Sequence, residues 1–382
     1  MFECSSLFQI KYSRKKRYPK LERSGIVVID FSGMLASKQI SLLLTDIHFI
    51  ITVYKKACKR IVFRCNGVFT PKDMFVYVLF ETIVYTLKVK YGYDVDYILD
   101  EAKSTVFTPG LVDSQLVHFF NYQFDIELME KTYNKIHTGN HFRRIIHSGD
   151  IGGASIILSE LKVFFSTFEF DHEYGLQLAR VASELVDNAS EHAVSDCLID
   201  LYVSDPTYKK TGCDDFFYAI SMVVLDFSEK KLHSDIRRKI ETGDYKGAKR
   251  YNIVREALEN HRPFFKKDKY EEEDFYNIAS FQDRISGRSS ETETGGTGLT
   301  ELIKCIEDKA EAHQCYVLSG NKGLWFEPEY LKYNENNWIG FNVENDFLKS
   351  IPDFKILVRS DVVFTGTGYN FVLVVKKENS QL

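Results

Sequence analysis

The chain has 382 residues, 44% hydrophobic and 14% aromatic, enough apolar surface for a large core and too much for a disordered chain. That length exceeds one ordinary domain and predicts two. A formal net charge of -5 excludes a general polyanion binder.

One segment runs against the overall charge. KYSRKKRYPKLER (11–23) is strongly basic, and is either a solvated stretch within an N-terminal segment, 1–24, or a weak contact for nucleic acid or an anionic surface. The seven cysteines (Cys4, Cys58, Cys65, Cys197, Cys213, Cys305 and Cys315) are odd in number and scattered, with no CxxC. This excludes a disulfide framework or zinc ribbon and fits reduced thiols in a cytoplasmic protein. No leader peptide is read at the N-terminus. The longest apolar run, ISLLLTDIHFIITVY (40–54), carries Asp46 and His48, so no membrane span is expected.

Residues 25–112 alternate between two periodicities. GIVVIDF (25–31), RIVFRC (60–65) and DVDYILD (94–100) read as strands. Between them, SKQISLLLTDIHFIITVYKKA (37–57) and PKDMFVYVLFETIVYTLKVKY (71–91) are long enough for helices. Strands separated by helices predict a small α/β unit with parallel pairing. The pattern resembles the small α/β domains of the anti-sigma-antagonist, or STAS, type. A helical connector is expected over 113–150, and GDIGGAS (149–155) is the candidate linker into a second domain, 151–382.

That second domain opens with a helix, EYGLQLARVASELVDNASEHA (173–193), followed by strands CLIDLYV (197–203) and FFYAISMVVLD (216–226). A polar insert of about 229–295 follows, too long to be structureless and so expected to be partly helical. TGGTGLTELIKCIEDKAEA (294–312) then begins a helix near Leu299. Strand-like pieces close the chain: CYVLSG, KGLWFEP, FKILVR and GYNFVLVVKK.

Four features carry chemistry. Glu184 and Asn188 share a helix face, flanked by Asp187 and Glu191, and clustered oxygen ligands suit Mg²⁺. Alone, the stripe is equally the solvated side of a helix. Gly295, Gly296 and Gly298, with Thr297 among them, lead directly into the helix at Leu299. Such a loop offers free N–H groups and the positive end of the helix dipole to phosphate. It is neither a P-loop nor a dinucleotide fingerprint, and by itself it is also a plain loop before a helix. Asp226 ends a buried strand in VVLDFSEK (223–230), where a carboxylate can accept a hydrogen bond from an exocyclic amine such as adenine's. VVIDFSGM (27–34) is nearly the same string and places Asp30 similarly. Finally, TGTGYNFVLVV (365–375) feeds glycine and threonine into a terminal strand.

The order of these features, over about 155–377, resembles the Bergerat-fold ATPases of the GHKL superfamily: gyrase, the large heat-shock chaperone, histidine kinases and mismatch-repair ATPases. ELVDNAS matches the family's asparagine box and GGTGL its second glycine box. The first glycine box is usually DxGxG. Here it is Asp226-Phe-Ser-Glu-Lys, with Ser228 and Lys230 at the glycine positions, so the local backbone is expected to differ. The family's order favours Asp226 over Asp30.

The resemblance implies an α/β sandwich, a mixed sheet covered by helices on one face, preceded by the smaller N-terminal α/β domain. It implies ATP and Mg²⁺ as ligands. Asn188 would coordinate the metal and Asp226 the adenine amine. The backbone of Gly295, Gly296, Thr297, Gly298 and Leu299 would wrap the phosphates, Thr367 would lie near adenine, and Glu184 would be the general base. The insert at 229–295 falls where the family has its ATP lid, and Arg284 and Arg288 are either γ-phosphate contacts or solvated loop residues. Three functions follow as expectations. One is a nucleotide-driven switch in a regulatory or stress-response system, resetting by hydrolysis and acting on a protein partner or homodimer. Another is a serine or histidine protein kinase of the same fold, for which His141, followed by Arg144, is the nearest approach to a phospho-acceptor box. A third is a non-catalytic interaction module with a degenerate nucleotide site.

Overall fold

The computed structural model describes residues 2–12, 17–66, 70–99, 133, 135–150, 152–193, 195–206, 215–245, 249–285, 298–307, 309 and 314–378. The architecture is mixed α/β; the described residues form a three-stranded and a two-stranded parallel sheet and a six-stranded antiparallel sheet.

The N-terminal unit starts with a short helix α1 (Ser5–Phe8), then strand β1 (Ile26–Phe31), the two-residue β2 (Met34–Leu35) and helix α2 (Ser37–Phe49). Strand β3 (Arg60–Cys65), β4 (Thr70–Pro71), helix α3 (Met74–Val89) and β5 (Asp94–Leu99) complete it. β1, β3 and β5 form a parallel sheet in that order, as the alternation of strand and helix predicts. The helix read over 37–57 is α-helical only to Phe49 and ends in a π-turn and a 3₁₀ turn.

The second unit is built on six strands. A hairpin of β6 (Lys135–Thr138) and β7 (His141–Ile146) precedes helices α4 (Gly153–Phe165) and α5 (His172–Asp187). β8 (Cys197–Val203) and β9 (Phe217–Asp226) follow, then helices α6 (Ser234–Thr242), α7 (Lys249–His261), α8 (Glu272–Ala279) and α9 (Gly298–Ile306), and finally β10 (Tyr316–Trp325) and β11 (Leu357–Lys376). The sheet order is β10-β11-β9-β8-β7-β6, and every described pairing is antiparallel.

Three expectations are corrected. Residues 135–146 are strands, not a helical connector: the Gly139-Asn140 turn closes a hairpin, and Phe142 and Arg143 pair with Leu201 and Asp200. The six-stranded sheet is antiparallel rather than mixed. It is also covered on both faces rather than one. α4, α5 and α9 pack on one face with Phe142, Ile199, Leu201 and Phe371. On the other, α2 and α3 pack against Ile145, Leu198, Val223, Leu225 and Phe364.

α3 explains the second cover. Phe75 through Leu87 are all buried, because the helix is apolar on every side and lies between the two sheets. Each large side chain so buried contributes about 1.5–3 kcal/mol. Its hydroxyls are satisfied locally: Thr82 and Thr86 donate to the carbonyls of Val78 and Thr82, at 2.8 and 2.7 Å. Glu81 needs an outside partner and finds Arg143 of β7, which also donates to Asp200. All three are almost fully buried. Burial opposes the charge on Asp200, but Arg143 and His141 outweigh it and hold its pKa at about 2. This ion cluster ties the N-terminal unit to the sheet.

The N-terminus is also anchored. Phe2, Leu7 and Phe8 are core residues, and the Cys4 N–H donates to Thr86 Oγ1 at 3.0 Å. The described part of 11–23 is largely exposed. All six described cysteines are buried thiols; Cys213 lies outside the described residues. No described helix is long and apolar enough to cross a membrane.

The insert after β9 is a packed block. Ile236, Ile240, Val254, Leu258, Phe275 and Ile278 join the main core. Residues 326–356, between β10 and β11, brace it: Gln282 Nε2 donates to the Ile339 carbonyl and Asn260 Nδ2 to that of Leu348, both at 3.0 Å. Arg250 also covers the Trp338 ring at 3.9 Å.

Candidate functional site

The sheet order brings several distant segments to one end. β9 ends at Asp226, which pairs with Cys197 at the start of β8. Gly368 of β11 pairs with Leu225, so Gly366 and Thr367 lie beside Asp226. The turn joining α5 to β8 must therefore sit at this same end.

Asp226 is buried, and its acceptors are used by backbone. Oδ1 accepts from the Ser228 N–H at 3.1 Å and Oδ2 from the Thr367 N–H at 3.2 Å. No described cation pairs with it. Desolvation dominates, and pushes its pKa up to about 6 despite these bonds. Gly366 makes the close approach possible: a Cβ there would fall 2.2 Å from Asp226 Oδ1. Ser319 Oγ locks the strand by donating to the Gly366 carbonyl at 2.9 Å, and accepts from the Leu232 N–H at 3.0 Å.

The missing glycines after Asp226 have a local explanation. Neither Ser228 nor Lys230 has a positive φ, so neither position needs glycine. The turn is closed instead by the Ser228 N–H on Asp226 and by Ser228 Oγ donating to the Lys230 carbonyl at 2.9 Å.

α5 begins at Asp171, whose side chain caps the Glu173 and Tyr174 N–H groups. Its buried stripe (Leu178, Val181, Ala182, Leu185) faces the core and leaves Glu184 exposed, with Asp187 and Asn188 half-buried. The Asn188 N–H still bonds the Glu184 carbonyl, so the expected Glu184–Asn188 spacing holds. From Asn188 to Ala193 the backbone becomes a π-turn, and Glu191 belongs to it. The polar stripe is thus split: Glu184 and Asp187 lie on regular helix, while Asn188 opens the π-turn that carries Glu191.

α9 packs along α5. Its Cys305 carbonyl accepts from the Tyr174 hydroxyl, in the first turn of α5, at 3.2 Å. The two helices run in opposite directions, so the first residues of α9, Gly298 and Leu299, point toward the Asn188 end. Gly295, Gly296 and Thr297 lie outside the described residues, as does Arg288. Arg284 is exposed beside Asp283.

Sequence reasoning singled out Thr367 but passed over Gly366 and Ser319. The TGTG string held the signal for Gly366; nothing local marks Ser319. His141 is buried against Asp200, at 3.1 Å from its Oδ2, and sits on a strand, so it is closed to phosphoryl transfer. Among the described residues no three His, Cys, Asp or Glu side chains gather to hold a metal. An ion at this end would be held by the Asn188 amide oxygen and by the oxygens of its own ligand.

No family model matches the chain, and no curated protein or solved structure matches it.

Proposed function

We propose that this end of the sheet binds Mg²⁺ and ATP, in a Bergerat-type arrangement, and that the chain is a nucleotide-driven switch. The observation that carries this is Asp226: a buried carboxylate that pairs with no cation among the described residues, walled by Gly366, at the strand end toward which α5 and α9 run. Its remaining lone pairs suit an exocyclic amine, which adenine has and guanine lacks at the equivalent position. The element order supports the same reading: a helix bearing Glu184 and Asn188, a hairpin ending in Asp226, an insert, a helix opening at Gly298, then a strand carrying Thr367.

In this proposal Asn188 holds the metal, which neutralises phosphate charge. The N–H groups of Gly295 to Leu299 receive the phosphates, and Glu184, being exposed at the pocket wall, orients a water or a partner's hydroxyl. Calorimetry with Mg·ATP and Mg·GTP tests the binding. ATP is expected to bind at least tenfold more tightly; no ATP binding to a folded chain overturns the proposal. Labelled ATP then separates the chemistry: free phosphate marks an ATPase, label on a protein marks a kinase. Glu184→Ala is expected to lower either rate about 100-fold while ATP still binds.

A further inference from the structure

A second pocket lies on the opposite side of the sheet, where the starts of α2 and α3 meet β10 and β11. Its volume is about 120 Å³, near the size that admits a single aromatic ring. One wall is aromatic: Phe75 lies 5.6 Å from Tyr316, which meets Trp325 edge-on at 4.8 Å. Ile40, Leu79 and Val362 add aliphatic lining.

Two cationic side chains border this apolar space. The Lys72 ammonium lies 5.3 Å from the centre of the Trp325 ring and makes no ion pair among the described residues. Arg359 gives Nη1 and Nη2 to Asp274, at 2.9 and 2.6 Å, yet its Nε is buried with no described acceptor. A buried donor left so is destabilising, and an acceptor from outside relieves it. Among the described residues Asp73 is the one carboxylate in the lining, and both its oxygens are engaged, by the Val76 N–H at 2.9 Å and the Tyr316 hydroxyl at 3.0 Å. The described lining thus carries two cationic side chains against one carboxylate, which favours an anionic guest over a cationic one.

We propose that this pocket binds a small aromatic carboxylate, its ring against Phe75, Tyr316 and Trp325 and its carboxylate toward Lys72 and Arg359. The site is separate from the nucleotide reading and requires no nucleotide. The volume matches one ring.

Titration of the full-length chain with benzoate, followed by calorimetry and tryptophan fluorescence, tests this, with benzyl alcohol and benzylamine as neutral and cationic comparators. Benzoate is expected to bind most tightly and benzylamine most weakly. Lys72→Gln, at an exposed position, is expected to weaken benzoate at least tenfold and leave benzyl alcohol unchanged. Ser360→Phe, at a half-buried lining position, is expected to abolish binding of both, with near-UV circular dichroism confirming the fold. No benzoate binding to the wild-type chain overturns the proposal, as does benzylamine binding as tightly as benzoate. Wild-type affinity in Lys72→Gln also overturns it, and that comparison decides alone if Ser360→Phe does not fold.

Discussion

VVIDFSGM (27–34) and VVLDFSEK (223–230) differ little as strings, yet their aspartates occupy opposite environments. Asp30 is exposed on β1, and its ladder neighbour on β3 is Arg64, whose Nε and Nη2 donate to it at 2.6 and 2.9 Å. The Arg64 hydrogen bonds hold the Asp30 pKa below the ordinary value. Asp226 has Cys197 and the Gly366-Thr367 backbone as neighbours, no cation partner among the described residues, and a pKa pushed up to about 6 by burial. A strand ending in an acid is a local property. Whether that acid is a surface ion pair or a poised buried carboxylate depends on what pairs across the ladder.

The contrast can be broken most severely at the glycines. Gly366→Ala is expected to cost ~3 kcal/mol by overpacking and to abolish ATP binding, because its Cβ would fall on Asp226. Gly33→Ala, beside the other string, meets no atom within 4 Å and strains only its φ of +79°, a cost of about 1 kcal/mol. Urea unfolding of both variants checks the ranking.

The two aspartates should also respond to pH with opposite signs. A folded Asp226 keeps its proton to about pH 6 while the unfolded chain releases it near 3.8. The native state therefore binds more protons across that window, and stability falls as pH rises through it, by about 3 kcal/mol. Asp30, with its lowered pKa, stabilises above 3.8, and that contribution is lost as pH falls through its folded value. The wild-type minus Asp226→Asn difference in unfolding free energy should drop between pH 4 and 6. The corresponding difference for Asp30→Asn should rise with pH, below that window.

For ligand binding, Asp226→Asn is expected to weaken ATP about 10- to 100-fold, the value of a hydrogen bond to a charged acceptor. Asp30→Asn should leave ATP affinity unchanged in the same calorimetry. The smallest effect belongs to Arg64→Ala. An exposed ion pair contributes little, so its unfolding midpoint should move only at the edge of detection, and its nucleotide binding not at all.

Much of the fold was legible from periodicity. CLIDLYV is β8 residue for residue, and the N-terminal strands pair in parallel as their separation by helices requires. The hairpin at 135–146 was missed because Arg143 is a charged residue facing inward, which breaks the strand pattern; its partners Glu81 and Asp200 are far off in sequence. Likewise, four strand-like pieces near the C-terminus are two strands, since β10 and β11 each continue across a break in hydropathy where ladder pairing holds the chain extended. At the candidate site, the Glu184–Asn188 spacing and the strand-end Asp226 were readable locally. The Gly366 contact was not, because it joins residues 140 positions apart.

By itself the sequence determined the element types outside the 135–146 hairpin and the identity of the polar residues at the end of α5, because propensity and periodicity act over a few residues. Only the tertiary structure decided that α3 is sandwiched between two sheets, that the insert after β9 joins the main core, and that Asp226 is buried while Asp30 is exposed in an ion pair with Arg64. Those outcomes depend on which strands become neighbours, and ladder neighbours are chosen by the packing of the whole chain.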